Sequence, residues 1–294
     1  MSELLTGQKV TVGPAFYERA TSPLFAGLLL LMGIAPLSAW GHSTYKTLGK
    51  AIWKPFLVSV AVALAVFLNG IRSPGAIFAF WLISLAGAVT LYEYGRAAVA
   101  RSKRLVENLF ISLWKISGRN RRRYGGYIIH LGVVVMALGI VGIELFQSET
   151  QGTIARGQSL SIANYTITYN DLAVFDTEDG RNVARAVVHV TKNGQDLGML
   201  YPRRDYYYES QQPMTIPGVR STAEDDVYVL LVDWLPISSE GATFKIYHNP
   251  LVNWLWVGGF VFFLGTLVAG WPDAELQREK LKRSVRQPLE SLLS

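Results

Sequence analysis

Apolar residues gather along this chain into five runs, separated by polar, charged or alternating stretches. The runs extend from Pro23 to Trp40, Pro55 to Ile71, Gly75 to Tyr92, Tyr127 to Phe146 and Leu251 to Trp271. Each approaches or exceeds the roughly 18 to 20 residues that a helix needs to cross about 30 Å of hydrocarbon. None contains Lys or Arg, and Glu144, close to one end, is the only acid within them. Runs of this length predict five transmembrane helices. Gly27, Gly33 and Pro36 interrupt the first, which predicts close helix approach and a bend there. A tight turn, Asn69-Gly70-Ile71-Arg72-Ser73-Pro74, joins the second and third.

Between the fourth and fifth runs the period changes. Tyr165-Thr166-Ile167-Thr168-Tyr169 alternates, Ala184 to Val190 is β-branched, Lys192-Asn193-Gly194 reads as a turn, and Val227 to Val232 reads as a buried strand. Short strands between Gly, Asn and Asp turns predict a small sandwich or a partly open barrel. The expected fold is therefore a membrane α-helical bundle of five transmembrane helices with an inserted all-β extracytoplasmic domain. The stretch between the third and fourth runs reads differently again. Leu105, Leu109, Leu113 and Ile116 recur near helical spacing with Phe110 and Trp114 beside them, the pattern of an amphipathic helix lying on the membrane surface.

Half of the 294 residues are apolar and the mean hydropathy is positive, which either a core-rich soluble protein or a membrane protein would show; the clustering selects the second. Charge then sets orientation. Between Arg96 and Arg123 nine Lys or Arg stand against Glu107 alone, the Ser43 to Lys54 loop adds Lys46, Lys50 and Lys54, and Arg278 to Arg286 is basic as well. The positive-inside rule puts all three in the cytoplasm, and with five spans this leaves the N-terminus and the 147–249 segment outside. That outer segment carries eight basic and thirteen acidic residues, so the net charge of +6 reflects topology and gives no reason to expect nucleic acid. The organisation expected is an external segment over 1–22, read as extended; helices one to four over 23–146 with a basic cytoplasmic loop at 96–123; an extracytoplasmic β-domain over 147–249; helix five over 250–272; and a cytoplasmic tail over 273–294. No apolar core of signal-peptide type precedes the first run, so no cleaved targeting segment is expected.

The absence of cysteine excludes disulfides, thiolate ligands and thiol nucleophiles, so any redox chemistry needs a cofactor or a partner's thiols. No nucleophile–base constellation, acidic metal cluster or phosphate loop is present in the sequence. Four histidines remain. His42 reads as a loop residue, His189 as a strand residue with a satisfied hydrogen bond, and His248 as a residue at the junction of the β-domain and the fifth helix. His130 lies inside the fourth run, roughly 10 Å inward from Arg123 at 1.5 Å per residue. An ionisable group at that depth is costly unless it is paired, faces the bundle interior or binds something. Two readings stand side by side: an imidazole hydrogen-bonded between helices, and an axial ligand of heme iron. Gly126 and Ala137 flank His130 on its own helical face and leave room for a flat macrocycle, while Gly125, Gly132 and Gly139 recur every seven residues on another face, as close helix packing requires. In the β-domain, Arg203, Arg204 and the Tyr206 to Tyr208 run form the densest basic and aromatic cluster, a candidate docking surface or ordinary strand residues. Trp254 and Trp256 fit an interfacial aromatic belt.

Several stretches resemble the C-terminal half of the CcmF family, the heme lyase subunit of bacterial cytochrome c maturation. They are Lys9-Val10-Thr11-Val12-Gly13-Pro14, Leu30-Leu31-Met32-Gly33-Ile34-Ala35-Pro36-Leu37, Arg123-Tyr124-Gly125-Gly126-Tyr127-Ile128-Ile129-His130-Leu131-Gly132, Tyr201-Pro202-Arg203-Arg204, Pro213-Met214-Thr215, Asp225-Asp226-Val227-Tyr228, and Tyr247-His248-Asn249-Pro250 running on to Gly259. They occur in order over most of the chain. The resemblance implies a part in attaching heme covalently to the Cys-x-x-Cys-His site of apocytochrome c, in the plasma membrane of a bacterium with the β-domain on the periplasmic side. It also implies a b-type heme in the membrane, with His130 as one axial ligand next to the room that Gly126 leaves by its spacing, and it makes quinol a candidate electron donor. The family's Trp-rich heme-handling motif and its two flanking external histidines belong to the N-terminal half and have no counterpart here. The implied partners are thus a sister chain or N-terminal half carrying that motif, the apocytochrome and a thiol-bearing maturation protein; the chain would be part of the lyase and not a catalyst alone. Two rivals are a b-heme electron-transfer subunit without ligation chemistry and a heme-free assembly scaffold.

The orientation is open to a direct check. In intact cells Lys103 and Arg121 are expected to be protected from a membrane-impermeant label, and residues near Asp179 to be accessible to it. The reverse labelling pattern would refute the assignment.

Overall fold

A computed structural model describes residues 13–37, 45–234 and 241–272. His42, the larger part of the expected external segment, and the basic tail lie outside the described residues. The helices are α1 (Pro14–Ile34, followed by a 3-10 turn at Ala35–Leu37), α2 (Tyr45–Leu68), α3 (Pro74–Leu105), α4 (Leu109–Arg119), α5 (Arg121–Phe146) and α6 (Val252–Gly270). Five of these, all but α4, are long and apolar enough to cross a membrane.

Two expectations need correction. Residues 14–22, read as extended, are helical: Pro14 sits at the first helical position, where its fixed φ suits the start of a helix and its missing N–H costs nothing. The third span does not stop near Tyr92 but continues to Leu105, because the Arg and Lys that end the apolar run are themselves good helix formers. The break falls at Val106, in the left-handed conformation with φ 52°, and α4 restarts after Asn108, whose side chain accepts from the Phe110 N–H at 2.9 Å. The amphipathic connector is thus a capped helix with Ser112 and Ile116 buried and Phe110 and Trp114 about 80% exposed (79% and 83%).

The chain forms two compact units, residues 1–137 with 257–294, and residues 138–256. Within the first unit α3 is central: 44% of its apolar window is buried, against 6% for α1 and 11% for α2. Gly33 on α1 lies against Leu85 and Ala86, and Gly87 on α3 lies against Val134. The glycines spaced by seven on α5 fulfil their expected role. A Cβ on Gly132 would stand 2.5 Å from the Phe262 nitrogen, and one on Gly125 2.6 Å from that of Ala269. The partner helix answers in kind, Gly265 lying against Ile129 and Gly258 against Met136. Each step of seven up α5 is matched by a step of seven down α6, as in two antiparallel helices in backbone contact.

The second unit holds the last turns of α5, the first turn of α6, and ten antiparallel strands between them. The strands are β1 (Ser148–Ala155), β2 (Ser159–Ile162), β3 (Tyr165–Thr177), β4 (Arg181–Lys192), β5 (Gln195–Leu200), β6 (Arg203–Tyr207), β7 (Gln212–Ile216), β8 (Gly218–Ser221), β9 (Asp225–Trp234) and β10 (Gly241–Pro250). They build two sheets, ordered β1-β10-β9-β8 and β2-β3-β4-β6-β7, with β5 on β4. This is a sandwich, the first of the two predicted forms. Its core is Tyr165, Ile167 and Tyr169 from β3, Ala184 to Val190 on alternate residues of β4, Val227, Val229 and Leu231 from β9, and Phe244 and Ile246 from β10. The β9 run read as wholly buried is an alternating strand, with Tyr228 and Leu230 only half-buried. Asn193 and Gly194 take positive φ, 51° and 80°, and close the β4–β5 hairpin where the turn was expected.

The helix contact gives a testable contrast. Gly132→Ala should cost about 2 kcal/mol through backbone overpacking, read as a lowered thermal midpoint in detergent. Gly95→Ala, whose Cβ would meet nothing within 4 Å, should leave the midpoint unchanged.

Candidate functional site

The position of His130 follows from the glycine contact. At about 100° per residue, His130 lies about 160° around α5 from Gly132, so the face that meets α6 is not its own. It lies instead with the residues that meet α3. Val134, one turn on, touches Gly87, and Tyr127, nearly one turn back, packs on Tyr94 at 6.2 Å between ring centres. The ring is half-buried, and its Nδ1 is buried without a hydrogen-bond partner among the described residues. A Cβ on Gly126, one turn earlier on the same face, would meet nothing within 4 Å. Of the two sequence readings of His130, the one that ties it by a hydrogen bond between helices finds no such bond among the described residues.

Below His130 lies a group that hydropathy did not flag. Because α3 continues past Tyr92, Glu93 is inside the bundle and only 3% exposed. It accepts from Arg96 at 3.0 Å and faces Arg123 at 3.9 Å, while its Oε1 has no hydrogen-bond partner among the described residues. Tyr94, Tyr124 and Tyr127 pack on one another, and Tyr94 shares a 2.6 Å hydrogen bond with Ser117 of α4. The sequence signal was present in the Glu93/Arg96 spacing of three, which puts the two charges on one helical face.

In the sandwich, the expected docking strand is divided by the pleat. Successive side chains of β6 point to opposite faces, so Arg204 and Tyr206 lie on one side and Arg203, Asp205 and Tyr207 on the other. Arg204 donates to the Val232 carbonyl of the opposite sheet. Asp205 is fully buried and pairs with Arg181 at 2.9 Å and Arg203 at 3.4 Å. Tyr206 is 40% exposed and packs edge-on against Tyr208, whose hydroxyl donates to Asp176 at 2.7 Å. His189 bonds Asp196 at 2.8 Å, as a satisfied strand histidine. Trp256 is 72% exposed, while the Trp254 indole donates to the Ala223 carbonyl at 2.9 Å.

His248, at the junction as expected, belongs to a polar hub. Asp225, at the start of β9, receives Tyr165 at 2.7 Å, Lys192 at 3.2 Å, Thr222 at 3.0 Å and His248 at 3.0 Å. Burial pushes the Asp225 carboxyl up, but the hydrogen bonds from Tyr165, His248, Thr222 and Lys192 outweigh it and hold it at about 2. Next to it, Asn253 at the start of α6 donates to Asp226 at 2.9 Å, and Gln147 donates to Asn249 at 2.6 Å. These bonds fix both chain crossings of this unit to the sandwich.

A bundle of apolar helices carrying one β-sandwich between its last two spans defines a multi-pass membrane protein with an inserted domain. Residues 145–250 match the family described as CcmF C-terminal beta-sandwich. The cytochrome c-type biogenesis protein CcmF of Pseudomonas fluorescens is 27% identical over 293 residues, covering 98% of this chain and 42% of that protein. CcmF of Haemophilus influenzae is 26% identical over 267 residues, covering 88% and 39%. A solved structure named Cytochrome c Heme Lyase CcmF shares the fold, with TM-score 0.70 and 24% identity over 92% of this chain and 42% of that one. The chain thus spans about two fifths of the length of the curated relatives it matches. Its sandwich matches the C-terminal domain model of that family, and over nearly its whole length the chain is similar to about two fifths of those longer proteins.

The Asp225 hub predicts a pH dependence. Its folded pKa of about 2 lies below the ordinary 3.8, so its stabilisation is complete above pH 4 and is lost as pH falls through about 2. Asp225→Asn, which leaves Lys192 and His248 facing a neutral group, should cost about 3 kcal/mol at neutral pH. Thermal unfolding of the detergent-solubilised chain between pH 2 and 7 reads both effects; in the variant the loss of stability below pH 4 should be smaller than in the wild type.

Proposed function

We propose that this chain serves cytochrome c biogenesis as the C-terminal part of a heme lyase, supplying His130 as one axial ligand of a b-type heme held in the membrane together with a partner half. The observation that carries this reading is the imidazole itself. It is an ionisable group at membrane depth, half-buried, with Nδ1 lacking a hydrogen-bond partner among the described residues and open space beside Gly126 on the same face. Such a group is costly unless something binds it. The residues therefore fit a flat iron macrocycle: His130 would hold the metal, and Gly126 would leave the plane clear. A b-type heme bound there would supply one-electron chemistry near the membrane surface that the chain's own side chains, lacking cysteine, do not provide. The second ligand and the Trp-rich heme-handling motif would come from the sister chain or N-terminal half. By the charge asymmetry of the loops, the sandwich would face the periplasm.

The sandwich itself is proposed to dock partners, with no chemistry of its own. Both its histidines are engaged by carboxylates, at 2.8 Å for His189 and 3.0 Å for His248. On the β6 strand Arg203 pairs with Asp205 and Arg204 donates to the Val232 carbonyl, which leaves the exposed Tyr206 and Tyr208 as the part of that cluster open to the apocytochrome, a thiol-bearing partner or the sister chain. Aromatic anchors of that kind are enriched at interface hot spots.

His130→Ala should abolish the b-type band in the reduced-minus-oxidised spectrum of the chain purified with its partner half, at unchanged membrane abundance. A full b-type band in the mutant complex would overturn the ligand assignment. No b-type band in the wild-type complex would favour the heme-free scaffold.

A further inference from the structure

The end of α3 and the end of α4 enclose a cleft of about 730 Å³. Three arginines line it, Arg101, Arg104 and Arg119, with Asn120 and Tyr124 beside them. Its remaining wall is apolar, formed by Ala100, Leu105 and Ile116. Three like charges around one cavity repel unless anions offset them. The nearby carboxylate, Glu107, is already committed to Arg101 at 3.3 Å and Lys115 at 2.7 Å. Arg104 and Arg119 have no carboxylate partner among the described residues. The cleft therefore has the charge to take an anion and more volume than a bare ion fills.

Its place in the fold narrows the anion. Arg104 and Leu105 end the apolar span α3, and α4 presents Phe110 and Trp114 almost fully outward, the arrangement of a helix lying at the headgroup boundary. A cationic rim over an apolar wall at that depth matches an amphiphile, with its phosphoryl group against the arginines and the start of its acyl chains along Ala100, Leu105 and Ile116. Arginine suits this recognition because its planar fork meets two phosphoryl oxygens at once. We propose that this cleft is a binding site for the phosphoryl headgroup of an anionic phospholipid, formed where α3 and α4 meet. The site is separate from His130 and does not depend on the heme assignment.

The test uses the full chain in detergent, titrated with mixed micelles of phosphatidylglycerol or of phosphatidylcholine and read by thermal midpoint and by lipid retained after gel filtration. Phosphatidylglycerol should bind and stabilise the wild type, and phosphatidylcholine should not. Arg104→Gln with Arg119→Gln should weaken phosphatidylglycerol binding about thirtyfold, the effect of two arginines at a membrane surface. The variant's unchanged midpoint without lipid, or rescue of binding by Arg104→Lys with Arg119→Lys, would show that folding is intact. Lys103→Gln with Arg122→Gln removes the same charge outside the cleft and should bind as the wild type does. Equal loss in that control would reduce the effect to diffuse charge and overturn the site. So would equal binding of the two lipids, or unchanged binding by the Arg104/Arg119 glutamine variant. Stabilisation by inorganic phosphate matching that by phosphatidylglycerol would make the ligand a soluble phosphate and overturn the lipid assignment.

Discussion

The backbone contact between α5 and α6 determines more of this molecule than any other interaction. Apolar side chains gain little by leaving lipid for one another, so helices in a membrane associate through close packing, hydrogen bonds and van der Waals contact. Here glycine carries that packing from both sides: Gly125 and Gly132 on α5, Gly258 and Gly265 on α6. A helix in backbone contact along one face has its rotation fixed. Turning α5 by one residue, about 100°, would drive a side chain into the Phe262 or Ala269 backbone and carry His130 off the side it shares with Tyr127 and Val134. The location of the candidate heme ligand is therefore a consequence of residues that never touch it.

The sandwich is fixed by the opposite means. Its core follows the ordinary hydrophobic rule, but its attachment to the ends of α5 and α6 is polar. Asp225 gathers donors from β3, β4, β10 and the preceding turn, and the adjacent Asp226 accepts from Asn253 at the start of α6. A carboxylate so nearly buried would be a liability alone. With four donors it becomes a clamp that ties β3, β4 and β10 to the start of β9. The protein thus combines a dry contact made by removing side chains with a charged contact made by converging them.

What the sequence disclosed follows from the length scale of each signal. The five spans and the strand alternation are periodic patterns within one element, and they were legible down to the Asn193-Gly194 turn. The seven-residue spacing of Gly125, Gly132 and Gly139 was legible for the same reason. Helix ends were not, because hydropathy ends where charge begins while helix propensity continues, and this hid both the length of α3 and the burial of Glu93. The Asp225 hub was invisible because three of its partners stand at 165, 192 and 248, brought to it by the packing of one sheet on the other and by the β9–β10 pairing. Arg203 and Arg204 show a third case: as neighbours in sequence they read as one patch, yet a period of two sends them to opposite faces of β6.

The bundle's exposure bears on what completes it. In α3, 44% of the apolar window is buried, but in α5 only 22%, in α6 17%, in α2 11% and in α1 6%, so more than half of the window of every spanning helix is left unburied by these helices, and α3 least of all. Aliphatic residues satisfy lipid without cost, and most of those surfaces are aliphatic. His130 is not. It stands on the side of α5 that meets α3 but is only half-buried there, and the described residues give its Nδ1 nothing to bond. Lipid tails offer no acceptor or donor either. On that same side a Cβ at Gly126 would meet nothing within 4 Å, so the helix that is sealed against α6 at Gly132 is open beside its one imidazole.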